Sequence, residues 1–275
     1  MDNVLRTLIY DGQVSLTLAN TTELVKEGKL LHKLSTSSAE LFARALSAMT
    51  FMSACLKNQV GEISLSIKDE TCGEIAVSGN YALNLRGYIV NTQLEKIPSW
   101  SENGSFTVIR DDGYTRPFVG SCAVPSGGDI DMAFEEYYRI SEQLPTRIKT
   151  LVKTDEQGEI IFAGVAVLQP LPFADEQTQK KVQECSLETL LENIEEKGLE
   201  QTAKEYFEPN KAVWELKSVQ YKCNCSRAYL KGVLVSVGEA QMRKIIEEDG
   251  AVRVHCHYCN TDYEFTDADA DEMFA

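Results

Sequence analysis

An α+β protein with antiparallel sheets, followed by a charged helical stretch and a small cysteine-bearing module, is the architecture this sequence predicts. Three observations predict it. Period-two apolar segments recur through residues 1–175 without regular helices between them, which favours antiparallel sheets over a doubly wound parallel fold. Residues 176–220 turn acidic and take helical spacing. Residues 221–275 carry four cysteines in two close pairs.

In the first part, Ile63-Ser64-Leu65-Ser66-Ile67 alternates apolar and polar side chains, as a half-buried strand does. Glu74 to Ser78 and Gly87 to Val90 continue that character, with Gly73, Gly79 and Asn80 as turn residues. Phe106 to Ile109 and Phe118-Val119 flank Asp111-Asp112-Gly113, a hairpin signal. Glu159 to Leu168 reads as a further strand after the turn residues Asp155 to Gly158. Two helices are predicted. Ser37-Ser38-Ala39-Glu40 fits a capping box, after which Leu41, Ala45, Ala48, Met52 and Leu56 form a stripe. The second starts near Asp131 and runs through Phe134, Tyr137, Tyr138 and Ile140, before Pro145. Met49 and Met52 read as core filling. No Walker A loop, nucleophile elbow or dinucleotide fingerprint is present, so composition and periodicity give no catalytic site in this part.

Charge narrows the partners. With 27 basic and 42 acidic residues the net charge is −15, against the basic surface that nucleic acid or an anionic membrane requires. The start, Met1 to Thr7, leads into mixed polar sequence, so no secretory leader is expected. The longest apolar run, Ile160 to Leu168, is far short of the roughly 18 residues that span a bilayer. A soluble, reducing compartment, the cytoplasm, is expected. Clustered cysteines there more often bind metal or do redox chemistry than form permanent disulfides.

Between Glu176 and Glu208 stand nine acidic residues and four lysines, with Leu187, Leu190, Leu191 and Ile194 at helical spacing. Gly198 should interrupt this segment and Pro209 stop it. It reads either as a surface helix closing the first domain, or as a linker that docks through its apolar stripe and can leave. So charged a segment is only marginally helical alone.

The cysteines carry the chemistry. Cys223-Asn224-Cys225 and Cys256-His257-Tyr258-Cys259 are separated by 30 residues. Four thiolates suit tetrahedral zinc, with sulfur at about 2.3 Å and no open position. Each pair occupies one local turn. Val252-Arg253-Val254 and Tyr263-Glu264-Phe265 alternate like strands, placing Cys256 to Cys259 in a hairpin knuckle. Gly238-Glu239-Ala240, Met242, Ile245 and Ile246 predict a short helix ending before Asp249-Gly250. An inert structural zinc ribbon remains an alternative. A thiol–disulfide oxidoreductase is another, although Cys256 and Cys259 lie between strand-like runs and not at the helix N-terminus that lowers a thiol pKa. A nucleic-acid-binding ribbon conflicts with the tail, where Asp262, Glu264, Asp267, Asp269, Asp271 and Glu272 occur without a lysine. His255 and His257 are spare ligands at most. Cys55, Cys72, Cys122 and Cys185 lack paired spacing and read as small core hydrophobes.

Cys-x-Cys is unusual for a purely structural ribbon. Tyr221-Lys222-Cys223-Asn224-Cys225-Ser226-Arg227, Leu234 to Glu239, and Cys256-His257-Tyr258-Cys259-Asn260 with Tyr263 and Phe265 closely resemble the redox-regulated heat-shock protein 33 chaperones. Leu85 to Ile89, Tyr137-Tyr138 with Ser141 to Pro145, and Ala163-Gly164-Val165 with Gln169 to Pro172 extend the resemblance over nearly the whole chain. It implies a layered β/β/α N-terminal domain for residues 1–175, a metastable helical linker for 176–220 and a zinc-binding redox switch for 221–275. It implies an ATP-independent holdase for unfolded or partly unfolded client proteins, inactive when reduced and zinc-bound. Cys223, Cys225, Cys256 and Cys259 would ligate one zinc ion. Oxidation, by hypochlorite or by peroxide with mild heat, would pair Cys223 with Cys225 and Cys256 with Cys259, releasing the metal and turning a monomer into a homodimer. A physical reason lies beneath this. A module so small has little core, and zinc binding contributes about 10 to 16 kcal/mol in comparable peptides. Two short-loop disulfides constrain the unfolded chain too little to compensate.

Overall fold

The computed structural model describes residues 2–101, 103–207 and 214–274, and the chain divides into two compact units, Met1–Tyr221 and Lys222–Ala275. In chain order the first unit holds β1 (Asn3–Ile9), β2 (Val14–Asn20), α1 (Thr22–His32), α2 (Thr36–Ala54), β3 (Glu62–Asp69), β4 (Gly73–Asn80) and β5 (Asn84–Ile89). There follow β6 (Ser105–Asp111), β7 (Phe118–Ala123), α3 (Ile130–Tyr137), β8 (Arg147–Thr154) and β9 (Ile160–Pro170). Helices α4 (Glu176–Glu184), α5 (Leu187–Lys197) and α6 (Leu199–Tyr206) and strands β10 (Glu215–Ser218) and β11 (Gln220–Tyr221) complete it. The second unit holds α7 (Arg227–Val237), α8 (Glu239–Asp249), β12 (Val252–Cys256), β13 (Thr261–Phe265) and α9 (Asp267–Phe274).

The α+β class with antiparallel sheets is what the structure has. One sheet runs β10-β1-β2-β9-β8, antiparallel throughout; the other runs β11-β5-β4-β3-β6-β7, antiparallel except where β11 joins β5. Helix α2 is apolar on almost every face because it is buried between strands of both sheets. Phe42, Leu46, Met49 and Phe51 fill the core that the sheets share, and Met52 joins them, so both predicted methionines are core residues.

The segments read as strands fall on β3, β4, β5, β6, β7 and β9, with Val90 and Glu159 just outside and the expected turn residues Gly73, Gly79 and Asn80 inside β4, and the hairpin at Asp111 joins β6 to β7. One helix start differs from expectation, whereas the other falls where the sequence places it, α3 opening at Ile130. Ser35, not Ser37, caps α2, its Oγ accepting from the Ser38 amide at 3.3 Å. Glu40 instead pairs with Arg44 one turn on, at 2.7 Å, and Leu56 lies beyond the helix end. Asp129 caps α3 by accepting from the Met132 amide at 3.0 Å, and a π-helical turn over Tyr138–Glu142 carries the segment on. Strands β1, β2 and β8 and helix α1 were not legible. The five-stranded sheet is covered on both faces, so Val4 and Leu5 enter opposite cores and the period-two signature is lost.

Candidate functional site

The cysteine module builds its site from short, well-capped elements. Ser226 follows Cys225 and caps α7, its Oγ accepting from the Tyr229 amide at 3.1 Å. Gly250, at φ 82°, ends α8 as the sequence predicts. Strands β12 and β13 form the hairpin, with Cys256 opposite Thr261 and Asn260 at φ 52° in the knuckle. The core beneath is small: Leu234, Met242, Val252, Phe265 and Ala270. Helices α7 and α9 were not predicted.

This scaffold brings all four predicted sulfurs together, within 4.8 Å of one another. Cys223 Sγ is 3.7 Å from Cys256 Sγ, and Cys225 Sγ is 3.1 Å from Cys259 Sγ. A metal–sulfur tetrahedron at about 2.3 Å has edges of about 3.8 Å, so the donor set could hold a metal ion with small adjustment. Further groups surround the sulfurs: the Cys225 amide donates to Cys223 Sγ at 3.5 Å, Tyr263 Oη lies 3.3 Å from Cys225 Sγ, and Thr261 Oγ1 lies 3.3 Å from Cys259 Sγ. Burial pushes the Cys223 and Cys225 thiols up. At Cys259 burial acts the same way but is outweighed by hydrogen bonding with Thr261 and the neighbouring thiols, and the pKa falls. Tyr263, bonded to Cys225, is pushed up to about 12. Crowded thiols resist ionising together, and a bound divalent cation would remove that resistance.

Neither predicted spare ligand joins the cluster. His255 Nδ1 sits 2.7 Å from Asp262 Oδ1, and its ring meets His257 edge-on at 5.0 Å. The acidic tail is folded against basic side chains. Asp269 binds Arg227 at 2.7 Å, and Arg243 reaches Asp267 at 3.1 Å and Asp271 at 2.9 Å. Of the remaining cysteines Cys72 is buried, Cys55, Cys122 and Cys185 are half-buried, and burial raises each thiol pKa, Cys72 and Cys122 to about 11.

The acidic helical segment belongs to the first unit and covers a sheet face. Asp175 caps α4, accepting from Thr178 at 2.7 Å, and Ser186 caps α5, accepting from Thr189 at 3.2 Å. Gly198 breaks the segment at φ 83°. The predicted stop at Pro209 lies outside the described residues. Leu187, Leu190, Leu191 and Ile194 are buried against Leu5, Leu16, Leu18, Phe162, Ala166 and Leu168 of the five-stranded sheet. Farther on the chain is extended: β10 pairs with β1 and β11 with β5. Tyr221 ends the unit with its hydroxyl donating to Gly87 O at 2.8 Å and accepting from Gly87 N at 3.2 Å.

A two-sheet α+β body with helices docked on one sheet face, and a C-terminal module in which four thiols converge, define a protein that has an apolar surface covered by its own chain and a candidate metal centre. The sequence model described as Hsp33 protein matches residues 2–266. The 33 kDa chaperonin of Bacillus cytotoxicus is 31% identical over 290 residues, covering 99% of this chain and 98% of its own; that of Bacillus cereus is 31% identical over 286 residues, covering 98% and 97%. The chain belongs to the Hsp33 family. Its fold is similar to the crystal structure of the 33 kDa chaperonin (heat shock protein 33 homologue) of Thermotoga maritima, with a TM-score of 0.82 over 98% of this chain and 97% of that one, at 23% identity. No helix among the described residues is long and apolar enough to cross a membrane.

Proposed function

We propose that this protein is a chaperone of the holdase type, acting without ATP and catalysing no reaction, that binds unfolding client proteins once its thiols are oxidised. The observation that carries the reading is the docking of α5 on the apolar face of the five-stranded sheet through Leu187, Leu190, Leu191 and Ile194, a surface that would suit an unfolded client if uncovered. Family membership and the four converging sulfurs support it. The proposed division is residues 1–175 as client-binding domain, 176–220 as releasable linker and 221–275 as redox switch.

In the reduced state Cys223, Cys225, Cys256 and Cys259 would hold one zinc ion, which supplies a cross-link between the two cysteine turns. Two molecules of a two-electron oxidant, such as peroxide, would take four electrons from the four thiolates, forming Cys223–Cys225 and Cys256–Cys259 and leaving the ion without sulfur ligands, while the oxidant is reduced, with protons from solvent, to water. The module loses its cross-link and unfolds, and the linker, marginally helical alone, leaves the sheet. We further propose that the reduced form is a monomer, the oxidised form a homodimer, and the setting the cytoplasm, without nucleic acid or membrane as partner. The test is to measure zinc content, free thiols and suppression of client aggregation in one sample before and after oxidant. Suppression that rises as zinc and thiols are lost supports the reading; equal suppression in both states overturns the switch.

A further inference from the structure

Arg147 lies at the start of β8, in the body of the first unit, opposite Leu168 of β9. Its Nη1 donates to three backbone carbonyls at the corner between α4 and α5: those of Val182, Gln183 at 3.0 Å and Cys185 at 2.9 Å. These are carbonyls that a helix end leaves without partners, and the cation also opposes the negative end of the α4 dipole. Val182 and Leu187 at the corner are buried against the sheet, but open space lies on either side of the Arg147 contact. A cavity of about 1100 Å³ opens between Arg147, Val182, Gln183 and Pro145, and one of about 330 Å³ lies between Arg147, Ser186, Leu187 and Asp131. Other ties of this segment sit elsewhere: Gln13 accepts from the Asp175 amide and donates to its carboxylate at the start of α4, and Lys153 pairs with Glu195 on α5.

We propose that Arg147 is an interlock that couples folding of α4 to docking of the linker, a role that rests on the chaperone reading for its regulatory meaning. Backbone carbonyls converge on one guanidinium nitrogen only when the end of α4 is wound and the turn to α5 is formed. Melting the last turn of α4 scatters the carbonyls and breaks the contact to β8. Undocking, in turn, strips α4 of the cation that completes its end. Each event therefore promotes the other, and the corner opens in a cooperative step. Nη1 carries two N–H groups, so at least one is shared between carbonyls. Arginine suits this role because its flat, weakly hydrated guanidinium stays charged while facing backbone acceptors, whereas lysine is a strongly hydrated point charge on a flexible stem.

The test is hydrogen–deuterium exchange on the reduced, full-length, zinc-loaded protein, comparing wild type with Arg147→Ala, Arg147→Lys and, as control, Lys153→Ala. Arg147→Ala is expected to speed exchange of the α4 amides by at least about tenfold, given charge-assisted hydrogen bonds to backbone, while α2 is unchanged. Arg147→Lys should fall between, and Lys153→Ala should leave α4 as in wild type. Unchanged α4 exchange in Arg147→Ala, or equal acceleration in α2, overturns the interlock. Should Arg147→Ala fail to fold, the same α4-to-α2 contrast in Arg147→Lys decides. The same samples are assayed, without oxidant, for suppressing aggregation of a chemically unfolded globular protein. Loosened α4 with no gain in suppression overturns the regulatory role. Failure of oxidised wild type to suppress overturns the chaperone reading instead.

Discussion

Trp214 Nε1 donates a 3.0 Å hydrogen bond to Glu200 Oε1, holding the indole against α6, with Lys204 Nζ 5.5 Å from the ring centroid. The ring also packs at the margin of the cluster that the linker helices form with the sheet. Undocking of α6 must therefore move this indole into water. Oxidation is expected to shift its emission to the red and raise its quenching by iodide, whereas Trp100, buried in the main core, contributes a constant background. A Trp214→Phe protein should lose the change. Identical spectra before and after oxidation would show that α6 stays docked.

Leu190 is fully buried beneath α5, while Leu30 on α1 is 80% exposed. Leu190→Ala removes buried methyl groups and should cost about 2 to 5 kcal/mol of the linker's attachment. Limited proteolysis of the reduced variant is expected to cut within residues 176–207 faster than in wild type, with suppression of aggregation rising without oxidant. Leu30→Ala should behave as wild type. Equal cleavage in Leu190→Ala would mean that the stripe does not hold the linker.

Metal removal gives a prediction local to the second unit. Its buried core is only a handful of side chains, so chelation from the reduced protein should lower its melting temperature while the first unit melts as before. Residue-resolved NMR melting curves separate the two. After oxidation, peptide mapping should recover Cys223–Cys225 and Cys256–Cys259. In the folded unit Cys225 Sγ is 3.1 Å from Cys259 Sγ and Cys223 Sγ 3.7 Å from Cys256 Sγ, so contact distance alone would favour pairing between the turns. Recovery of Cys225–Cys259 would place oxidation within the folded unit.

Asp131 supplies a pH test of the first unit. Burial, the largest influence, raises its carboxyl above the ordinary 3.8, despite hydrogen bonds from Thr150 and the charge of Lys149. A carboxyl raised on folding stabilises most below its unfolded pKa, and the contribution is lost as pH rises through the folded value. Asp131→Asn keeps an acceptor for the Thr150 hydroxyl and amide but cannot titrate. As pH rises above 3.8 the wild type should lose stability relative to the variant, so the difference in denaturation midpoint, variant minus wild type, should grow. Parallel profiles would assign the pH dependence elsewhere.

Much of the architecture was legible because it is local. The alternation in Ile63 to Ile67, the hairpin around Asp111 and the breaks at Gly198 and Gly250 each depend on a few neighbouring residues. The Leu187 to Ile194 stripe announced an apolar face needing cover, and the cysteine spacing announced two turns able to converge. What escaped notice depends on neighbours distant in sequence. Val4 and Leu5 point into different cores because helices lie on both sides of their sheet. The acidic tail reads as solvated charge until Arg227, Lys231 and Arg243 are placed against it.

The sequence by itself determined that the chain has an antiparallel α+β body, an amphipathic acidic segment and a four-thiol module, since composition and periodicity are properties of short stretches. The tertiary structure decided which sheet face the acidic segment covers, that Arg147 meets the end of α4, and which sulfurs lie nearest one another. Those relationships join residues tens of positions apart. No local pattern encodes them, because they arise only when packing brings separate elements into contact.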